Sequence, residues 1–594
     1  MLIGKYLTKY YKKLWPFFLV GFFALIAVDI VETEIPKYLR IVVDEVDTLT
    51  GNALWDILGR VLLLAGAILV GRIVWRLCIF YASRKIEAGL RQDMFEKAER
   101  LSLSFFRENP VGTVMSYFTN DIETIGEFFG WGTVMLIDAV FMTLIVVIRM
   151  IAVDPYMTLI AALPIALIAV WGALVERFMA IKWDQRQEAF SELYDFSQEN
   201  FTGIRVIKAF VKENQQIHAF AKIARKNADV EYSFGKLSSI FDVIIEIIIS
   251  SIIALILGFG GYFVFCTVTG QPIQLFGHEI SFTVGRLSEF VTLFQLLVWP
   301  MIAMGQVISM RSRAKTSLRR ISHFLDAEED VMSPRNAVAL HNVKGKIEFR
   351  DFSFTYPKEA TPALKNISFC INPGETIGIV GKVGSGKTTL ANVLLRLYNY
   401  QDGGVFIDDV DLMDADLDTL RDAISYAPQD NFLFSASIKE NIAFSDASID
   451  MTRVKEAAVF ADIDTSIAVF REGYDTVSGE RGVTLSGGQK QRVSLARAYH
   501  KGAPILLMDD TVSAVDLKTE ETILENIKLN RAGMTTLVIA SRVSTVRDFD
   551  KILVLEDGCV VGFGSHEELM ETSPAYQKMV YLQRLEAEAK EGGN

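Results

Sequence analysis

Six long apolar runs, all within the first 310 or so positions, constrain this chain more than any other feature. They lie near 16–42, 55–80, 128–153, 156–178, 237–265 and 287–310. A helix needs roughly 20 mostly apolar residues to cross a bilayer, and each run is long enough. Hydrophobic residues make up 51% of the 594 positions, but they are concentrated here. The remainder has the composition of an ordinary soluble α/β sequence. The expectation is therefore a helical membrane bundle followed by a soluble domain. A formal net charge of −12 argues against a nucleic-acid binder. Cys78, Cys266, Cys370 and Cys559 lie far apart with no ligand-like spacing, so neither a metal knot nor a disulfide framework is implied. The first apolar run has acids inside it and no small-residue cleavage site after it, so no cleavable signal is expected.

The gaps between the runs are unequal. The second (81–127) and fourth (179–236) are long, polar and helical in pattern; the others are short. Basic residues fall on one side. Lys5, Lys9, Lys12 and Lys13 precede the first run, Arg84, Lys85, Arg91, Lys97 and Arg100 lie in gap two, and Lys182, Arg186, Arg205, Lys208 and Lys212 in gap four. Arg311, Arg313, Lys315, Arg319 and Arg320 follow the last run, whereas gap one carries Asp44, Glu45 and Asp47. The positive-inside rule then puts both termini and both long gaps in the cytoplasm. Long helical gaps predict spans that continue well past the bilayer. Each long gap also holds a short amphipathic segment bounded by Gly or Pro, 103–112 and 202–210, able to seat in a groove or to lie on the membrane surface.

Several acids fall inside the runs: Asp29, Glu32, Glu34, Asp138, Asp242 and Glu246, with Arg149 as an available partner. Ionisable groups at membrane depth are costly and usually face a water-filled path. One reading is a negatively biased cavity for cationic amphipaths; the other is pairing within the bundle or a position near a span end. Trp131, Trp171 and Trp299 read as packing or interface aromatics.

The second half carries chemistry. A polar stretch over 327–344, with Pro334, reads as a linker, and the soluble domain as 345–585 with a polar tail, 586–594. Gly381, Lys382, Val383, Gly384, Ser385, Gly386, Lys387 and Thr388 spell G-x-x-x-x-G-K-T between an apolar strand (376–380) and a helical stretch (389–397) beginning at Thr389. That context makes a phosphate-binding loop: glycines let backbone N–H groups turn toward phosphates, and the helix start adds its positive dipole end. Lys387 is expected to reach the outer phosphates and the Thr388 hydroxyl to ligate Mg2+. Upstream, Tyr356 either stacks on adenine or is a core tyrosine. Downstream, Gln429 can reach the metal and the attacking water. Ser486, Gly487, Gly488 and Gln489 open a helix and form a second phosphate cradle. One nucleotide on one chain has no use for two cradles, so two domains head to tail are expected. Ile505 to Asp509 is an apolar strand whose terminal carboxylate suits a magnesium shell, and 513–516 reads as a turn able to cross a dimer interface.

In this order the phosphate loop, Gln429, the Leu-Ser-Gly-Gly-Gln stretch and the apolar-Asp strand resemble those of an ABC transporter half. The likeness is to the type IV bacterial multidrug-exporter group and covers essentially the whole chain. It implies six transmembrane helices (1–326) fused to an α/β P-loop nucleotide-binding domain, with ATP and Mg2+ as cofactors. It implies that 103–112 and 202–210 are coupling helices and that Tyr356 stacks on adenine. It also implies that Glu480, Arg481 and Gly482 form the loop that contacts the coupling helices.

Two positions depart from that family. A Glu normally follows the metal-holding Asp and polarises the attacking water; here it is Asp510. A carboxylate one methylene shorter falls short by roughly 1.5 Å, and misplacement on that scale costs about 100-fold in rate. The family's switch His is Ser541, which cannot link γ-phosphate to the carboxylate. Together they point to a site that binds ATP and hardly hydrolyses it, beside an intact signature that completes a partner's site. The expectation is the degenerate-site subunit of a heterodimeric exporter in a bacterial inner membrane, paired with a second half-transporter carrying the consensus Glu and His. Amphipathic drugs are the favoured cargo. Lipid or peptide export is the alternative, with peptide maturation disfavoured because no peptidase domain precedes the spans, and a non-transporting ATP-binding regulator is a further class. A soluble ABC ATPase is excluded by the six runs.

Overall fold

The computed structural model describes residues 4–48, 50–270, 273–275, 278–280, 282–479, 482, 485–513 and 515–591. The chain divides into two compact units: Met1–Ala98 with Gly112–Asp326, and Glu99–Val111 with Ala327–Asn594.

Among the described residues, the first unit is helical apart from one small hairpin. Helices α1 (Thr8–Glu32) and α2 (Ile35–Asp44) share the first apolar run. They part just ahead of Pro36, which lacks an N–H but fits the first turn of a new helix. Helix α3 (Gly51–Arg100) carries the second run, and α4 (Leu103–Glu108), which belongs to the second unit, follows it in the first long gap. Next come α5 (Val111–Val153), α6 (Pro155–Thr202), the short α7 (Ile204–Ala209) and α8 (Glu213–Val268). The antiparallel pair β1 (Ile273–Leu275) and β2 (His278–Ile280) leads to α9 (Val284–Leu325). Among the described residues, Thr8–Asp44, α3, α5, α8 and α9 are long and apolar enough to cross a membrane. The remaining expected span, 156–178, runs within α6, where side chains including that of Trp171 lie outside the described residues.

Helices α3, α6 and α8 have 50, 48 and 56 residues. At the α-helical rise they extend about 70–85 Å, more than twice the ~30 Å hydrocarbon core. Helices α6 and α8 lie side by side, pinned by the ion pairs Arg186–Glu231 and Lys226–Glu192, both at 2.5 Å. Helix α5 is interrupted by three π-helical turns, at Tyr117–Asp121, Phe128–Gly132 and Asp138–Met142. Such wide turns are rare and cluster where side chains are placed for function. The first ends at buried Asp121, which accepts from the Ser317 hydroxyl at 2.6 Å and pairs with Arg320. The third begins at Asp138, which accepts the indole N–H of Trp299 at 3.1 Å.

The acids inside the runs divide by partner. Glu34 pairs with Arg149, so that arginine is occupied. Glu32 pairs with Arg72 at 3.2 Å. Asp242 and Glu246 are exposed on α8. Asp29 is buried with its Oδ2 unpartnered, and Asp138 keeps its Oδ1 unpartnered.

Among the described residues, the second unit holds two sheets. The larger has the order β12-β11-β5-β10-β9-β8. Its strands are β5 (Thr376–Gly381), β8 (Ile424–Ala427), β9 (Ile505–Asp509), β10 (Thr535–Ile539), β11 (Lys551–Glu556) and β12 (Cys559–Gly564). All neighbours are parallel except β11 and β12. Strands β9 and β10 are buried along their whole length, as central strands of a parallel sheet covered on both faces must be. Their side chains alternate between two cores. Leu506, Met508 and Val538 face a core shared with α11 (Met451–Phe460), α12 (Gly487–Lys501) and α13 (Leu517–Asn530). Ile505, Leu507, Leu537 and Ile539 face the other core, shared with the antiparallel sheet β4-β3-β6-β7 and with α10 (Lys387–Leu394). That sheet comprises β3 (Ile347–Phe354), β4 (Leu364–Ile371), β6 (Asp402–Ile407) and β7 (Val410–Asp411). Each fully buried aliphatic side chain contributes about 1.5–3 kcal/mol, so the parallel sheet is a rigid platform for the loops at its ends.

Three local expectations change. The helix after the phosphate loop covers Lys387–Leu394 rather than 389–397; Arg396 takes a left-handed φ of 45° that stops it. The 327–344 stretch, read as a linker, is tied down by backbone: Val338 exchanges backbone hydrogen bonds with Asp414 and Asp416 at 2.8 and 3.0 Å. The C-terminal helix α14 (Pro574–Glu591) runs through the 585/586 boundary.

Candidate functional site

The phosphate-loop pattern forms the connection between β5, in the middle of the parallel sheet, and α10. Gly384 and Gly386 hold φ of 83° and 99°, left-handed values that favour glycine. A Cβ on Gly386 would come within 2.7 Å of the Leu364 side chain, so the close approach of loop to β4 also demands glycine. Lys387 Nζ donates to the Gly381 and Lys382 carbonyls at 2.7 and 2.8 Å, which folds the lysine over its own loop. Burial lowers its pKa, while Asp510 and Asp509 act in the opposite direction. Thr388 Oγ1 lies 3.5 Å from Asp509 Oδ1. Asp509 ends β9; it is buried, and its Oδ2 has no partner. Burial raises its pKa first, and the neighbouring Asp510 adds to that. Hydroxyl and carboxylate oxygens are the donors a hard divalent cation takes.

Asp510 sits at φ 50°, a left-handed conformation that Asp tolerates better than most residues. Its N–H donates to the Ile539 carbonyl at 2.9 Å. Its carbonyl accepts from Gln491 Nε2 at 3.3 Å and the Ser513 hydroxyl at 2.9 Å. The carboxylate keeps Oδ1 buried and unpartnered.

These groups line one open cleft of about 1280 Å³. Its lining includes Gly381, Lys382, Val383, Gly384, Gly386, Lys387, Thr388 and Thr389 of the loop, together with Gln429, Asp509, Asp510, Ser541 and Tyr356. Ser385 is buried beneath the loop. Tyr356 is fixed by its hydroxyl, which donates to Thr389 Oγ1 at 3.1 Å and accepts from Asn392 Nδ2 at 3.3 Å.

Ser486, Gly487, Gly488 and Gln489 are not part of this cleft. They start α12, where Ser486 and Gln489 form a reciprocal capping box and Ser486 is exposed. Arg497 of the same helix ties it to the stretch after Gln429, donating to Phe432 O at 2.9 Å and Asn441 O at 2.8 Å. Burial pushes that guanidinium down to about 10. Asp516 caps α13 by accepting from Thr519 N at 3.1 Å. Glu480 and Arg481 lie outside the described residues, as does Ala514 of the 513–516 turn.

Three cleft elements were missed in the sequence. Arg107 of α4 reaches the Tyr356 ring. Glu359, on the turn after Tyr356, pairs with Arg107. Residues of helix α14 also line the cleft, and Gln583 donates to Ser541 O at 3.0 Å while accepting from Val543 N at 2.8 Å. The basic-acidic pair Arg107-Glu108, facing Lys358-Glu359, was the available signal for the first two. Nothing in the sequence pattern announces Gln583.

The class this geometry defines is a P-loop nucleotide-binding domain joined to a helical membrane domain. The model of the ABC transporter transmembrane region matches residues 18–301, and that of the ABC transporter matches 364–513. The chain is 32% identical to the probable multidrug resistance ABC transporter ATP-binding/permease protein YheI of Bacillus subtilis, over 99% of both chains. It is 33% identical to the multidrug resistance-like ATP-binding protein MdlA of Escherichia coli, over 98% of this chain and 96% of that protein. A bacterial Atm1-family ABC exporter, solved with ATP bound, superposes with a TM-score of 0.76 at 25% identity, covering 95% of this chain and 98% of that one. The chain therefore belongs to the ABC transporter family, as a fused membrane and ATP-binding half of the exporter fold.

Proposed function

We propose that the chain is one subunit of a heterodimeric ATP-driven exporter that moves amphipathic, drug-like compounds outward across a bacterial inner membrane. Its termini and nucleotide domain are cytoplasmic. In this reading ATP lies in the cleft with adenine on Tyr356 and its phosphates over Gly381 to Thr389. Thr388, Asp509 and Gln429 would hold Mg2+, which when bound would supply neutralisation of phosphate charge. Asp509 supplies a buried carboxylate with a free oxygen, and Lys387 turns from its loop carbonyls to the outer phosphates.

The observation that carries the two-chain reading is the position of the signature. Ser486 stands exposed at the start of α12, apart from the cleft, so a second domain must present its own to this nucleotide. Large apolar side chains on the extensions of α6, α7 and α8 support the same reading. Phe190, Phe201, Phe210 and Ile217 are all more than half exposed, as expected of a surface covered by another half-transporter.

The asymmetric reading rests on Asp510 and Ser541. Asp510 ends short of the water position that the family's Glu serves, and Ser541 presents a hydroxyl where an imidazole is needed. The site then holds ATP and keeps the domains closed while the partner's complete site, capped by Ser486 to Gln489, hydrolyses. Closure driven this way requires ATP to bind the closed state more tightly than the open one. Co-expression with a half-transporter carrying the consensus Glu and His, followed by ATP-dependent uptake of cationic and neutral amphipathic dyes into inside-out vesicles, tests export. Dye uptake that needs both chains and ATP is expected. Absence of uptake for every dye tested would favour a non-transporting ATP-binding regulator.

A further inference from the structure

Helix α4 belongs to the same compact unit as the nucleotide cleft, and its contact there is specific. Arg107 and Glu108 of α4 meet Lys358 and Glu359 of the turn after Tyr356 with opposite charges in register. Arg107 pairs with Glu359, and Glu108 Oε1 lies 2.6 Å from Lys358 Nζ. The turn is closed by the Glu359 N–H on the Tyr356 carbonyl at 3.0 Å, so the charge pairs fix α4 against the tyrosine itself. The Arg107 guanidinium lies over the Tyr356 ring, 5.1 Å from its centroid. Phe354 and Tyr398 pack against the same ring at 5.0 and 5.2 Å, both edge-to-face. A flat base that stacks on Tyr356 needs an aromatic face, and the guanidinium lies over one.

We propose that Arg107 competes with adenine for the face of Tyr356, and that its displacement by the base signals nucleotide arrival to α4. This deepens the reading of Tyr356 as the adenine platform and rests on it. Only Leu101 and Ser102 separate α4 from the end of α3, the 50-residue helix that carries the second apolar run, so a shift of α4 acts on that helix through the chain itself. The competition is weak enough to be reversible. A cation–π contact at an exposed site is worth about two- to fivefold in an equilibrium constant, and the exposed ion pairs add little. The sign is unusual. Removing a cation from a triphosphate site would ordinarily weaken binding; removing this one strengthens it, because the base gains its platform.

The test is photolabelling of the full-length protein in nanodiscs with 8-azido-ATP, scored on this chain alone, for wild type, Arg107→Met and Tyr356→Ala. Methionine keeps the packing of the arginine stem. Arg107→Met is expected to lower the half-labelling concentration about two- to fivefold. The concentration of inorganic tripolyphosphate that competes is expected to be unchanged, since it has no base. Tyr356→Ala is expected to raise the half-labelling concentration. An Arg107→Met value equal to or above wild type, with Tyr356→Ala impaired, overturns the competition and makes Arg107 a ligand or a bystander. A Tyr356→Ala value equal to wild type overturns the platform reading itself, and the competition with it. A parallel change for tripolyphosphate assigns Arg107 to the phosphates and likewise overturns the proposal.

Discussion

Thr388 Oγ1 and Asp509 Oδ1 lie 3.5 Å apart, at the start of α10 and the end of β9. A helix start and a strand end that lie far apart in sequence thus bring one hydroxyl and one carboxylate to a common point. Asp509 is buried with a free oxygen, and burial holds its pKa above the usual carboxylate range. A raised folded-state pKa means that charge at neutral pH opposes folding; the penalty appears as pH rises through the folded pKa. Asp509→Asn is therefore expected to raise the unfolding midpoint without nucleotide and to abolish the further rise given by Mg-ATP. Thermal unfolding with and without Mg-ATP checks both arms.

Ser486 has two separable roles. As a helix cap it is worth about 1 kcal/mol; as an exposed hydroxyl it is available to a second domain. Ser486→Asp keeps an oxygen cap while placing a negative charge where phosphate is to lie. The expected outcome is near-native stability with ATPase of the two-chain complex reduced at least tenfold. Ser486→Ala is expected to lose both. Paired unfolding and ATPase assays separate the two roles.

Gln583 reaches from α14 to the backbone on both sides of Arg542, donating to Ser541 O and accepting from Val543 N. It sets the position of the loop that carries Ser541. Gln583→Ala is expected to speed amide exchange at Val543 about tenfold, with the β9 and β10 amides unchanged. Hydrogen exchange followed by mass spectrometry reads this directly.

His500, near the end of α12, is 3% exposed. Its Nδ1 lies 3.5 Å from Ser445 Oγ and its Nε2 4.0 Å from Asp446 Oδ2. Burial first, then the positive charge of Arg453, hold its pKa below the usual histidine value, although Asp446 and Asp450 act the other way. A depressed folded pKa gives stability that is present above the unfolded value of about 6.5 and lost as pH falls through the folded one. His500→Gln is expected to narrow the gap between unfolding midpoints at pH 7.5 and pH 5.5.

The membrane runs and the strand–loop–helix around Lys387 were legible because each is local: length and hydropathy mark the first, glycine spacing the second. The contact between Thr388 and Asp509 was anticipated only as a shared metal, since strand order brings them together and strand order is not written in any one segment. The 103–112 segment was legible as a short amphipathic segment, able to seat in a groove or to lie on the membrane surface. Its seat on the Tyr356 turn was not, because two short charged pairs separated by some 250 positions have no periodicity to betray them. The π-helical turns of α5 were equally silent, and they govern where Asp121 and Asp138 point. The end of α10 was misjudged because Arg396 adopts a left-handed φ that its side chain does not announce.

The central claim is the asymmetry between this chain's site and its partner's. It is tested most directly by the ATPase rate of the purified two-chain complex, comparing Asp510→Glu here with Glu→Gln in the partner. The account predicts that the partner change abolishes turnover, while Asp510→Glu leaves it unchanged or raises it. Brisk hydrolysis by this chain alone, lost on Asp510→Ala, would contradict it and make Asp510 a competent base in a working homodimer.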